Sequence, residues 1–276
     1  MAERLQVLKR APRRVVDWGT HFGASDAALR QACPRARRTA VEAFDQPDIA
    51  KAAEPVAGVA ASPLWWSARR WWHATMSRAN PPHESTLSEG AADLVWSNMV
   101  LHHLADPEAT FARWLRLLSV DGILMFSTLG PGTFESLRRL YASQRWRSPH
   151  APFVDMHDLG DMLVHAGFAD PVMDQEVITL TWATAAEALA ELRQLGGNAD
   201  RVRHAGLRTP RWRAALERAL TQARADERIA IEFEVVYGHA VRPPPRPKLA
   251  AETAVTLDDM RGMLRSRRGG GPGAGA

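Results

Sequence analysis

The chain has 276 residues, 46% hydrophobic and 24% charged, an ordinary globular composition long enough for one large domain or two small ones. No apolar run approaches the roughly 18 residues of a membrane span, the N-terminus MAERLQVLKRAPRR carries no apolar signal segment, and a lone Cys33 excludes an internal disulfide, so a cytoplasmic protein is expected. The net charge of +4 and the pI of about 9.8 favour acidic partners.

Residues 1–12 read as a short basic arm. In RRVVDWGTHFGASDAALRQA, Val15-Val16 begin an apolar strand that Asp17 ends, and Gly19 and Gly23 fall in the following turn. Ser25 or Asp26 then caps a helix. Glycines here let backbone approach a ligand closely, and the helix start offers free N–H groups. Residues 37–42 read as the second strand. Glu42 ends it, about 20 residues past the glycine turn, where nucleotide-binding βαβ folds place an acid for ribose hydroxyls. Asp45 is the rival acid.

Residues 45–89 form an irregular stretch. Pro47, Pro55, Pro63 and Pro81-Pro82 interrupt it, and residues 56–60 are the best candidate for a third strand. Trp65, Trp66, Trp71 and Trp72 bracket Arg69-Arg70. Such a cluster covers core surface more often than it forms a stacking platform for bases.

Leu94-Val95-Trp96 is a buried strand ending at Ser97-Asn98. Asp106 caps a helix with Pro107 at its first position, and Phe111, Trp114, Leu115 and Leu118 give it one apolar face. Asp121-Gly122 supplies a turn, and Ile123–Phe126 is another buried strand. Strand, helix and strand with tight links make a parallel βαβ unit, whose ligands collect at the carboxyl ends of the strands. His102-His103 with Asp106 lack ligand spacing for a metal, and none is expected; the histidines are read as lining the cleft or starting a helix.

Ser127 to Gly132 then form a rigid loop, and Thr133 caps a helix carrying Arg138, Arg139 and Tyr141. Residues 149–152 link to a helix over 158–166 closed by Gly167. A strand over 177–182, helices over 187–194 and 212–225, and a last strand over 229–237 follow. From Arg242 the Pro/Gly-rich tail, 242–276, is expected to be largely disordered.

The stretches FSTLGPGTFESLR (126–138), FVDMHDLGDMLVHAGFADPVMD (153–174) and FEVVYGHA (233–240) resemble the malonyl-acyl carrier protein O-methyltransferases of biotin synthesis, within the class I methyltransferases that use S-adenosylmethionine. The match spans roughly 93–240. It implies an α/β, three-layer αβα Rossmann-like fold over 13–241. The sheet would have seven strands, mostly parallel, with one antiparallel strand. It also implies S-adenosylmethionine as cofactor, held by Asp17, Gly19, Thr20, His21, Gly23, Glu42, Glu84 and Asn98. His21 departs from the family's pattern, standing where the middle glycine of its motif would be. Ser127, Leu129, Arg138, Arg145 and His157 are the residues expected to face the methyl acceptor.

Methyl transfer is an in-line displacement, so the protein's main task is alignment. A carboxylate acceptor is ionised at neutral pH and needs no general base, which agrees with the absence of an obvious catalytic set. Arginine suits recognition of such a carboxylate, and surface arginines would draw an acidic acyl carrier protein to what is expected to be a monomer. The rival expectation is a catalytically impaired relative acting as a binding or assembly protein. Nucleic-acid binding through the Trp/Arg cluster is the third and weakest.

Overall fold

The structure is a computed structural model that describes residues 1, 4–5, 11–20, 25–42, 86–195, 198, 200, 202–224, 227–245 and 258. The chain divides into two compact units, Met1–Pro243 and Pro244–Ala276. Several expectations lie outside the described residues: the 56–60 strand, the Trp/Arg cluster, most of the 1–12 arm and nearly all of the tail.

In the first unit the strands are β1 (Arg14–Trp18), β2 (Arg37–Val41), β3 (Ala92–Asn98), β4 (Leu118–Leu129), β5 (Ala169–Trp182) and β6 (Ile229–Val241). The helices are α1 (Asp26–Ala32), α2 (Pro107–Leu117), α3 (Glu135–Ser143), α4 (Met156–Ala166), α5 (Ala185–Leu192) and α6 (Pro210–Gln222). The sheet order is β2-β1-β3-β4-β6-β5. β6 is antiparallel to both its neighbours, and the β2-β1-β3-β4 ladder is parallel. The described sheet therefore has six strands rather than seven. The residues expected to supply the seventh, 56–60, lie outside the described residues.

Local chemistry accounts for the elements. The Asp106 carboxylate accepts from Ala109 N at 2.9 Å and Pro107 opens α2. One face of α2 buries Phe111 and Trp114, with Trp114 edge-on to Trp18 at 5.2 Å and Phe111 against Phe126 at 5.5 Å. Each such buried aromatic contributes roughly 1.5–3 kcal/mol. Gly167, at φ +100°, closes α4 as expected. Asp121, also at positive φ, bends β4 without ending it, so the strand begins at Leu118, well before the expected Ile123.

Two caps differ from expectation. Ser25 leaves α1 without a side-chain cap because its hydroxyl accepts from the Trp96 indole at 2.9 Å. Thr133 does not cap α3; its hydroxyl exchanges hydrogen bonds with the backbone of Glu234 on β6.

The core has three parts. One lies between the sheet and α2/α4, around Trp18, Phe111, Trp114 and Phe126. Another lies on the α1 face, around Val15, Leu29, Leu94 and Trp96. The third joins α3, α5 and α6 to Leu129 at the end of β4. It rests on an overhang: β4 pairs with β6 only as far as Leu129–Val235, while the antiparallel β5–β6 pair continues to Trp182–Ile229. α3, α5, α6 and the overhanging β5–β6 pair thus form a cap beyond the carboxyl end of β4.

Candidate functional site

From β1 the chain passes outward to β2 on one side, and β3 follows on the other, so the topological switch lies between β1 and β3. Ligands of open α/β sheets bind outside the carboxyl ends at such a point. Asp17, Gly19, Thr20, Glu42 and Asn98 all come to this edge. Thr20 Oγ1 donates to Glu42 Oε1 at 2.6 Å, and Gly19 N donates to Val41 O at 2.8 Å. Glu42 is 2% exposed. Gly19 is glycine for two reasons: its φ is +76°, and a Cβ there would lie 2.8 Å from the methyls of Val100. Burial pushes the Asp17 carboxyl up to about 7 against the opposing pull of Arg38, and nearby Glu42 raises it further.

Asn98 and Ser127 join the ends of β3 and β4. Met99 N donates to Ser127 Oγ at 3.1 Å, and Ser127 Oγ donates to Asn98 Oδ1 at 2.8 Å. This relay turns the Asn98 amide so that its Nδ2 faces away from Ser127 as a donor.

Ser127 and Leu129, expected to face the acceptor, stand at the end of β4. The loop 130–132 wraps the buried carboxylate of Glu234, with Gly132 N donating to Oε2 and Gly130 N donating to the Glu234 carbonyl. A Cβ at Gly130 or Gly132 would fall within 2.7 Å of that carboxylate. Arg138 donates from α3 to Pro131 O at 2.7 Å. Beside this loop, His102, Thr128, Leu129, Phe153 and Leu159 line a small pocket. His102 sits in a 3-10 turn, Leu101–His103, with Nδ1 3.3 Å from Thr128 Oγ1. Burial first, and His103 second, hold its pKa well below the usual imidazole range, so the ring is neutral. Phe153, His150, Phe134 and Phe233 continue the aromatic lining toward the cap.

His21, Gly23 and Glu84 lie outside the described residues. Arg145 is exposed just past α3, and His157 is exposed on the first turn of α4, paired with Asp155 Oδ1 at 2.7 Å. Glu234, Phe134 and Phe153 lie in the stretches that carry the resemblance but are not among the site residues expected from it, and His150 lies outside them; Glu234 reads in the sequence as one polar residue in an alternating strand. No group of three or more His, Cys, Asp or Glu able to hold a metal occurs among the described residues.

The donor set suits one kind of ligand. Buried acids at Asp17 and Glu42 match a cationic group and a diol, and an amide donor at Asn98 matches a carboxylate. S-adenosylmethionine carries all of these groups, so the residues present fit it.

Comparisons with known proteins bear on the family and the fold. A family described as "Methyltransferase domain" matches residues 1–170. The malonyl-[acyl-carrier protein] O-methyltransferase of Laribacter hongkongensis is 37% identical over 265 residues, covering 96% of this chain and 85% of that protein. The protein of the same name from Gallionella capsiferriformans is 36% identical, covering 89% and 82%. Among solved structures, a Bacillus halodurans protein assigned as a methyltransferase superposes with a TM-score of 0.52 at 15% identity, over 88% of this chain and 99% of that one. That likeness speaks to the fold alone.

Proposed function

The chain belongs to the malonyl-[acyl-carrier protein] O-methyltransferase family, and on that premise we propose that it is an S-adenosylmethionine-dependent enzyme that methylates the free carboxylate of a malonyl group on acyl carrier protein, a step of biotin synthesis. The observation that carries the reading is the buried Thr20–Glu42 pair beside Gly19 at the switch point, with a small pocket lined by His102, Thr128, Leu129 and Phe153 at the end of β4.

When bound, S-adenosylmethionine supplies a methyl group on a sulfonium, and its transfer turns the acceptor carboxylate into a methyl ester. Thr20 holds Glu42 in position to accept from ribose hydroxyls. The Met99–Ser127–Asn98 relay aims the Asn98 amide at the amino-acid end. Asp17 supplies negative charge for a cationic ligand once it has lost its proton. Arg138, held at the loop by Pro131 O, is the candidate partner of the acceptor carboxylate; Arg145 and His157 are the more distant ones. Phe134, Phe153 and Leu129 keep water from the pocket, which strengthens every charge interaction inside it.

The test is methyl-ester formation on malonyl-acyl carrier protein by the purified chain, together with rescue of a strain lacking the biotin-pathway methyltransferase. A Gly19→Arg variant serves as the control. No ester and no rescue by the wild-type chain would overturn the reading.

A further inference from the structure

The outer surface of the cap is strongly basic. Over 134–149 there are four arginines against Glu135 alone, and over 198–222 there are six against Asp200 and Glu217. The two stretches are contiguous in space. Arg147 donates to Val202 O at 2.9 Å, and Asn198 donates to Ser148 O at 2.9 Å. Trp146 packs on Trp212 at 5.4 Å, and the Arg208 guanidinium lies 4.3 Å from the centre of a Trp212 ring.

Apolar side chains stand among these charges. Leu207 is 98% exposed and Val202 61%, both in the loop that leads into α6. Arg203 and Arg211 flank them, and both are exposed. An isolated exposed leucine is unremarkable. Arg213 and Arg139 are paired with Glu217 and Glu135, whereas Arg203 and Arg211 make no ion pair among the described residues. Two exposed aliphatic residues set beside such arginines are the profile of a contact that recruits by charge and seats by burial. The patch is also continuous with the site. Trp146, Trp212 and Tyr141 stack into the cap core, which reaches Leu129, Phe134 and Phe153 at the pocket.

Resting on the function proposed above, we infer that the 202–211 loop and the adjoining end of α3 form the docking surface for the acidic carrier protein that presents the acyl group. Arg203, Arg208 and Arg211 face its carboxylates. Leu207 and Val202 meet an apolar spot between them. A protein-borne acceptor explains why the apolar residues stay exposed here: their cover arrives with the substrate.

The test measures binding of labelled malonyl-acyl carrier protein to the full chain by fluorescence anisotropy, across a salt series, with methyl-ester formation followed in parallel. The variants are Arg203→Glu/Arg211→Glu together and Leu207→Ser, with Arg35→Glu as a basic-to-acid control elsewhere on the surface. The expected result is binding weakened about tenfold or more by the double reversal, less by Leu207→Ser, and steeply salt-dependent in the wild type. Arg35→Glu should leave it unchanged. Equal affinity across all the chains, loss of the same size in the Arg35 control, or no saturable binding by the wild type would overturn the docking surface. The ester assay separates the two readings. Binding without ester removes the proposed function and keeps the surface, whereas ester formation with the same KM in every variant does the reverse.

Discussion

Thr20 Oγ1 donates to Glu42 Oε1 at 2.6 Å across 22 residues of sequence, tying the turn after β1 to the end of β2. The bond fixes the carboxylate of a residue that is almost fully buried, the group proposed to accept from the ribose diol. Replacing Glu42 by Gln keeps the volume but substitutes an amide, whose NH₂ end repels hydroxyl donors. Charge-assisted bonds are worth about 1.5–3 kcal/mol, so Glu42→Gln should weaken S-adenosylmethionine binding by roughly 10–100-fold. Titration calorimetry reads this directly. A variant that binds as tightly as the wild type would remove Glu42 from the donor site.

Asp17 gives a pH signature. Its carboxyl is raised from 3.8 to about 7, by burial above all. A carboxyl whose folded pKa lies above its unfolded value favours folding while it is protonated. That advantage is lost as pH climbs from about 4 through about 7. Asp17→Asn removes the charge and its desolvation cost. The variant should therefore be more stable than the wild type near pH 8, by at most about 4 kcal/mol, with the gap shrinking toward pH 5. Urea unfolding at several pH values measures it, and a gap that stays constant with pH would contradict the assignment.

Gly19 and Val100 are coupled sterically. Gly19→Ala puts a Cβ within 2.8 Å of the Val100 methyls at a φ of +76°. Overpacking costs about 1–3 kcal/mol, and the positive φ adds to it. Combining it with Val100→Ala makes room for the new methyl. The double variant should be less destabilised than the sum of the singles, by about 0.5–3 kcal/mol. Strict additivity, measured by chemical denaturation, would mean that the backbone conformation alone demands the glycine.

What the sequence reveals follows the range over which each signal acts. The Asp106/Pro107 start of α2, the Gly167 stop of α4 and the runs that become β1 and β3 are local, and they appear where expected; of β4 the 123–126 stretch does, while its start at Leu118 does not. So does the gathering of Asp17, Gly19, Glu42 and Asn98, because strand ends in a parallel sheet must share one edge. Ser25 and Thr133 mislead for the opposite reason. Each has a cap residue's chemistry, yet each spends its hydroxyl on a partner far along the chain: Trp96 in one case, the backbone of Glu234 in the other. The overhang of the β5–β6 pair is likewise invisible locally, since strand register is a relation between strands. The cap surface at Val202 and Leu207 reads in sequence only as a polar, arginine-rich connection.

Glu234 offers the sharpest separation of acceptor from donor functions. The residue is 7% exposed; its carboxylate accepts from Gly132 N, while its backbone binds Gly130 N and Thr133 Oγ1. The backbone bonds survive substitution, so Glu234→Ala leaves β6 in place. It removes the acceptor that the glycine loop encloses, leaving the Gly132 N–H without its partner and a void where the carboxylate stood. An unsatisfied donor costs about 1–3 kcal/mol, enough to let the loop and the Arg138 guanidinium bonded to it leave the position shown here. None of these atoms touches Thr20, Glu42 or Gly19. Glu234→Ala should thus lower kcat for methyl transfer by roughly 10–100-fold, as expected where alignment does most of the work. Affinity for S-adenosylmethionine should change less than about twofold. Glu234→Gln retains an oxygen that can still accept from Gly132 N, so its loss should be smaller. Steady-state kinetics paired with calorimetry distinguish the outcomes: a donor affinity that falls in step with kcat would place the 130–132 loop on the donor side.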